Sequence, residues 1–180
     1  MKPPGEKKLS MMLKASMVAA LTGVLSLITF PLPMSPVPVT GQTLGVCLAG
    51  LLLGPWWGAA GMGIYLIAGL AGLPVFSGGA SGPAAILGPT GGYLLAFVPA
   101  AFVTGMISQL SSKRFSYLLV ASLVGAVGLV HLVGSAYLAR QAGIGFRNAL
   151  LAGSVPFLPG DVAKALLASL VALRYHRAIH

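Results

Sequence analysis

The chain has 180 residues, 57% of them hydrophobic and only 7% charged, at a mean hydropathy of +0.93; a soluble domain carries about 25% charged residues, so the composition is that of an integral membrane protein. A hydrocarbon core about 30 Å thick takes roughly 20 mostly apolar residues per helix, which allows about six crossings and no soluble domain beside them. The net charge of +9 comes from basic residues scattered between apolar segments, without a dense patch interleaved with aromatics, which argues against nucleic acid as a partner and for membrane orientation.

Lys2, Lys7 and Lys8 precede an apolar run that superficially resembles a signal peptide. The run extends from Leu9 to Phe30 without a clear small-x-small cleavage site, too long for an h-region, and is read as the first membrane helix, about 9–30. "PLPMSPVP" closes it, because the prolines at 31, 33, 36 and 38 cannot continue a helix. A second helix spans about 39–53. "GPWWG" at 54–58 then marks a tight turn with Trp56 and Trp57 at the interface, and a third helix spans about 57–72.

"LPVFSGGASGPAAILGPTGG", 73–92, is rich in Gly and Pro yet apolar, the mark of irregular backbone lying against the protein; at membrane depth such backbone must be buried or line a cavity. A fourth helix spans about 91–110, "SSKR" is a short polar turn, and a fifth helix spans about 115–139. Residues 140–159 form a second substantial loop with room for a short helix, and the sixth helix spans about 160–175.

Six crossings put the N-terminus, the turns at 54–58 and 111–114 and the C-terminus on one side. That side carries Lys2, Lys7, Lys8, Lys14, Lys113, Arg114, Arg174 and Arg177, against Arg140 and Arg147 on the other, so the positive-inside rule makes both termini cytoplasmic. The connections 31–40, 73–90 and 140–159 then face outward, where they can together roof a cavity.

Asp161 is the sole acidic residue after Glu6, and Lys164 follows three positions on. A charge inside a membrane segment costs at least about 2.5 kcal/mol on insertion scales, so it marks a functional site by default. An N-cap for the sixth helix with Lys164 as its i+3 partner would account for Asp161, but not for an internal lysine. A polar solute that needs both an acceptor and a cation accounts for both. "SGGASG" and "GPTGG" expose backbone groups to close approach, and in neither stretch is there an ATP phosphate loop. Ser81 in "GASG" and His131 in the fifth helix are the material for an intramembrane Ser/His dyad, although Ser81 falls in a loop and His131 is more simply a packed or hydrogen-bonded histidine. Cys47, the only cysteine, has no disulfide or metal partner and is read as a packed small residue; no metal site is expected. Ala15, Ala19 and Gly23 form a small-xxx-small stripe, suited either to internal packing or to a partner membrane protein, and Ala121, Gly125 and Gly128 are read as internal packing.

"PVPVTGQTLGVCLAGLLLGPWWGAAGMGIYLIAGLAGLPVFSGG", followed by "LGPTGGYLLAFVPAAFVTG" and "PFLPGDVAKALLA", closely resembles BioY, the family of biotin-binding S components of energy-coupling factor (ECF) transporters. The resemblance runs in order over about residues 36–173. It implies an all-α, six-helix S-component bundle with an outward-facing biotin pocket closed by the loops after the first and third helices. It also implies uptake powered by an EcfT-type transmembrane coupling protein and a pair of ABC ATPases, so that ATP is used by partners while this chain has no cofactor and no catalytic residue. The A-x-x-x-A face that the family presents to the coupling protein matches Ala15 and Ala19. Biotin offers two ureido N–H donors and one C=O acceptor, an apolar thiophane ring and a valerate carboxylate. Asp161 is thereby implied to accept the ureido N–H bonds, and Lys164 to neutralise Asp161, bind the ureido oxygen or meet the valerate. The matching motifs add Gln42 and Thr43, then Phe76, Ser77, Gly78 and Gly79, then Gly88, Pro89, Thr90, Gly91, Gly92 and Tyr93. Where some relatives carry a more polar residue near 77–79 or 93, this chain has Ser77, Gly78, Gly79 and Tyr93; the valerate contact stays open, with Arg140 and Arg147 as candidates. The resemblance implies a multi-pass protein of a prokaryotic plasma membrane. A stand-alone biotin carrier acting as a homo-oligomer is the alternative, and a hydrolase using Ser81 a distant third.

Overall fold

The computed structural model of the chain describes residues 4–33, 35–110 and 114–179. Lys2, Lys113 and most of the turn at 111–114, all used above to orient the chain, lie outside them.

Helix α1, Pro4–Ser26, ends four residues before the expected boundary. Pro31 disfavours helical backbone at Phe30, and the bonds Leu27 N to Val24 O and Ile28 N to Leu25 O tighten the last turn. Strand β1, Thr29–Phe30, then pairs antiparallel with β2, Val39–Thr40, with Thr29 opposite Thr40. The second helix correspondingly starts at Gln42 rather than 39, because 39–40 are spent on this ladder.

Helix α2, Gln42–Leu70, is broken at Gly54, whose φ of 77° and ψ of −174° belong to a region open essentially to glycine alone. Pro55 follows, at the first position of the second arm, where its missing N–H costs nothing. The two arms fold back on each other: a Cβ on Gly58 would lie 2.7 Å from the carbonyl oxygen of Ala49, and the Gln42 amide donates to the Tyr65 hydroxyl across the pair. The expected second and third crossings are these two arms. The first, 42–53, rises only about 18 Å, short of a hydrocarbon core about 30 Å thick, and the strand pair precedes it in the chain.

The 73–90 segment holds a 3-10 turn, Ser77–Gly79, and the short helix α3, Pro83–Leu87. Its backbone is tied down by Gly82 N to Gly69 O and Phe76 N to Ala80 O, as irregular backbone at this depth requires. Helix α4, Gly91–Gln109, is the next crossing. Helices α5, Phe115–Ala121, and α6, Leu129–Ala142, join through a π-helical segment, Ser122–Gly128, into one crossing. The amphipathic helix α7, Phe146–Gly153, occupies the last loop, and a 3-10 turn at Val155–Phe157 leads directly into α8, Leu158–Ile179. Five helical stretches among the described residues are long and apolar enough to cross a membrane; the fold-back at Gly54 divides one of them, which makes six apolar helical segments in the bundle.

Small residues let these helices approach. A Cβ on Gly50 would meet Thr104 Cβ at 2.6 Å, and one on Gly61 would meet the Ala15 carbonyl oxygen at 3.1 Å. Ala121 and Gly125 pack inward, as expected; Gly128 instead faces outward. The bundle has two unlike ends. At the turn end Gly54 abuts Gln109, Lys14 donates to the Tyr175 hydroxyl (3.1 Å), and Trp56 stands exposed. At the loop end the three long connections converge.

Candidate functional site

The loop end holds a cleft of about 540 Å³ counting its open mouth. All three loops line it: Val37, Pro38 and Thr40 from the first, Ser77 and Thr90 from the second, Gly153 and Phe157 from the third. Gln42, Thr43, Tyr93, Leu94, Phe97, Val130, His131, Asp161 and Lys164 complete the wall from the helices.

Asp161 is the fourth residue of α8, inside its first turn, so the N-cap expectation gives way. Its carboxylate turns sideways instead. Oδ1 accepts from Lys164 Nζ at 2.7 Å, and Oδ2 lies 2.8 Å from His131 Nε2 on α6. With Asp161 only 4% exposed, removing either partner would leave a buried charge underpaired, which costs several kcal/mol. An ionised carboxylate only accepts, so His131 Nε2 carries the proton. His131 Nδ1 lies 2.9 Å from Ser154 Oγ, which lies 2.7 Å from Ser135 Oγ. The imidazole stacks on Phe157 (centroids 6.4 Å apart, planes at 23°) and meets Tyr93 edge-on.

A second network holds the opposite wall. Thr40 Oγ1 donates to Gln42 Oε1 (2.8 Å), Gln42 Nε2 donates to the Tyr65 hydroxyl, and that hydroxyl donates to Val75 O (2.8 Å). Ser26 Oγ reaches Phe76 O (3.3 Å) and Gly78 N donates to Thr29 Oγ1 (3.2 Å), tying the second loop to the end of α1. The Tyr93 hydroxyl donates to Gly153 O at 2.6 Å and so fixes the third.

Of the residues expected at the site, Gln42, Thr43, Ser77, Thr90, Tyr93, Asp161 and Lys164 line the cavity. Phe76 lies behind the wall, edge-on to Tyr65 at 5.6 Å. Gly78 and Gly79 supply positive φ for the 3-10 turn, Gly91 and Gly92 leave room for the Ile86 carbonyl and the Tyr137 ring, and Gly88 and Pro89 lead into α4; none of these is on the cavity wall. Arg140 and Arg147 are exposed and off it. Ser81 is not on the wall either, and His131 pairs with Ser154 rather than with Ser81.

Sequence reasoning passed over Tyr65, Ser154, Ser135 and Thr40, and read His131 as a packed or hydrogen-bonded histidine, which it is, without giving it a place in the site. The rule that flagged Asp161, that an intramembrane ionisable group is functional by default, applies equally to His131.

The small-residue stripe of α1 divides. Ala15 is fully buried. Ala19 and Gly23, with Ser16 and Ala20, form the floor of an apolar groove between α1 and the 55–70 arm.

Residues 2–180 match the family model described as BioY family. A protein of Rhizobium etli named Biotin transporter BioY is 41% identical over 76% of each chain, and one of Pyrococcus horikoshii named Probable biotin transporter BioY is 42% identical over 88% of this chain and 91% of its own. The crystal structure of an S-component for biotin from an ECF-type ABC transporter superposes with a TM-score of 0.90 at 31% identity, covering 98% of this chain and 95% of the other. The chain belongs to the BioY family.

Proposed function

We propose that this BioY-family chain captures biotin in the loop-end cavity and takes it up as the substrate-binding S component of an ECF-type ABC transporter. One observation carries the reading: a single buried carboxylate and a single ammonium, Asp161 and Lys164, stand together in an otherwise mostly apolar wall. That set suits a solute with paired N–H donors on an apolar ring system. Asp161 accepts a ureido N–H bond, which is stronger for an ionised acceptor. Lys164 keeps Asp161 charged and directs its remaining N–H donors to the ureido oxygen. Leu94, Phe97, Val130 and Phe157 cover the thiophane ring, while Gln42, Thr43, Ser77, Thr90 and Tyr93 bound the slot.

The chain supplies no ATPase in this reading and needs no cofactor. A transmembrane coupling protein and a pair of ATPases drive it, and the groove floored by Ala19 and Gly23 is the face offered to the coupling protein. The protein resides in a prokaryotic plasma membrane among its lipids, with both termini and their basic residues on the cytoplasmic side. The test is the affinity of the purified, detergent-solubilised protein for biotin: tight binding is expected, and a folded protein that does not bind biotin refutes the reading.

A further inference from the structure

We propose that His131 is a positioning residue for substrate recognition, acting through Asp161: its Nε2–H holds Oδ2 so that the carboxylate turns a remaining lone pair to a ureido N–H of the solute. The inference rests on the biotin reading and goes beyond it.

The carboxylate has about four acceptor sites. Lys164 takes one on Oδ1 and His131 one on Oδ2, which leaves a lone pair free to accept one ureido N–H while Lys164 meets the adjoining ureido oxygen. Lys164 alone could not set this orientation, because an ammonium on a four-carbon stem is a flexible point donor that the carboxylate can follow. His131 can, because its ring has nowhere to turn. It is stacked on Phe157, met edge-on by Tyr93 and bound at its far nitrogen to Ser154.

The hydroxyl chain also fixes the ring. Nε2 faces the carboxylate and carries a proton, while Nδ1 meets the Ser154 hydroxyl, which Ser135 meets in turn. Ser154 is 1% exposed and off the cavity wall, so it serves as an anchor rather than a nucleophile, although the order Asp161, His131, Ser154 is that of a hydrolytic triad.

Glutamine and asparagine separate the two roles. The Gln amide nitrogen reaches about where Nε2 lies and the Asn nitrogen about where Nδ1 lies, so only His131→Gln retains the donor to Asp161. Purified wild type, His131→Gln and His131→Asn are titrated with biotin and with a biotin derivative methylated on its ureido nitrogens, and folding is checked by thermal melting. The expected result is biotin affinity within about 10-fold of wild type for His131→Gln and a loss of about 10- to 100-fold for His131→Asn, the range of one charge-assisted hydrogen bond. In His131→Asn the preference for biotin over the methylated derivative should shrink by a similar factor. Equal affinities and equal preferences in the two variants would overturn the proposal. Imidazole 15N shifts of the wild type provide a check independent of how the variants fold: a proton on Nε2 is expected, and a ring protonated at Nδ1 alone overturns the assignment. Absence of biotin binding by folded wild type would instead strike the biotin reading itself, a result distinct from either of these.

Discussion

The Tyr93 ring packs against the bare backbone of Gly134: a Cβ at position 134 would collide with Cδ1, Cε1 and Cγ of that ring. Tyr93 in turn holds Gly153 through its hydroxyl. Gly134→Ala is therefore expected to push the ring off its place, lowering stability by about 1–3 kcal/mol, as overpacking does, and weakening biotin binding through the displaced third loop. Thermal melting and a biotin titration check it. An unchanged melt would mean that the ring and the helix separate without cost.

Asp161 and Lys164 lend themselves to a double-mutant cycle. Asp161→Asn and Lys164→Met alone each leave a partner underpaired and should cost about 3 kcal/mol of stability. The double variant should be more stable than at least one of the singles, while biotin binding stays lost in both chains that lack the carboxylate. Wild-type affinity in a folded Asp161→Asn would remove the carboxylate from substrate recognition.

Tyr65→Phe keeps the ring against Phe76 but removes the hydroxyl shared by Gln42 and Val75. The Gln42 amide and the Val75 carbonyl each lose a partner in a buried site, at a cost of about 1–3 kcal/mol. Because Val75 anchors the second loop, the expected signature is faster biotin release with a smaller change in the association rate, measurable by stopped flow. Equal effects on both rates would assign the hydroxyl to the fold alone.

Alanines four residues apart on α1 are expected to behave oppositely to their outward neighbours. Ala15→Leu inserts bulk at a fully buried position against the 55–70 arm and should destabilise the protein. Ser16→Trp and Ala20→Trp point into the exposed groove and should spare biotin binding in detergent while reducing ATP-driven uptake in cells that carry the energising proteins. Normal uptake by the tryptophan variants would move the coupling face elsewhere.

The crossings are legible in the sequence because lipid demands long apolar runs, and "GPWWG" announces the fold-back because Gly and Pro side by side offer a helix no continuation. Asp161 and Lys164 are legible because charge in such a run is costly. The partners of Asp161 are another matter. His131 is thirty positions away on another helix, and Ser154 reaches it only through the path of the last loop, so no local spacing connects the three. Tyr65 reads as one more aromatic in an apolar helix until the fold-back sets it opposite Gln42. The end of α1 was misplaced because Leu27 to Phe30 are as apolar as the helix before them; the competing bonds come from Val39 and Thr40, beyond four prolines. Nothing in "SLVGAVG" distinguishes a π turn from an α turn by hydropathy.

That π segment bears on how the chain can change length. A π turn holds about one residue more than an α turn, so a chain shortened by one residue between Ser122 and Gly128 could relax to α geometry there and still present Phe115–Ala121 and Leu129–Ala142 on their present faces. The same loss between His131 and Ser135 has no slack to draw on and would swing Ser135 about 100° around the helix axis, away from Ser154. In this crossing, descendants of the sequence can shed a residue harmlessly at one place, just ahead of the histidine and serine whose alignment depends on the count.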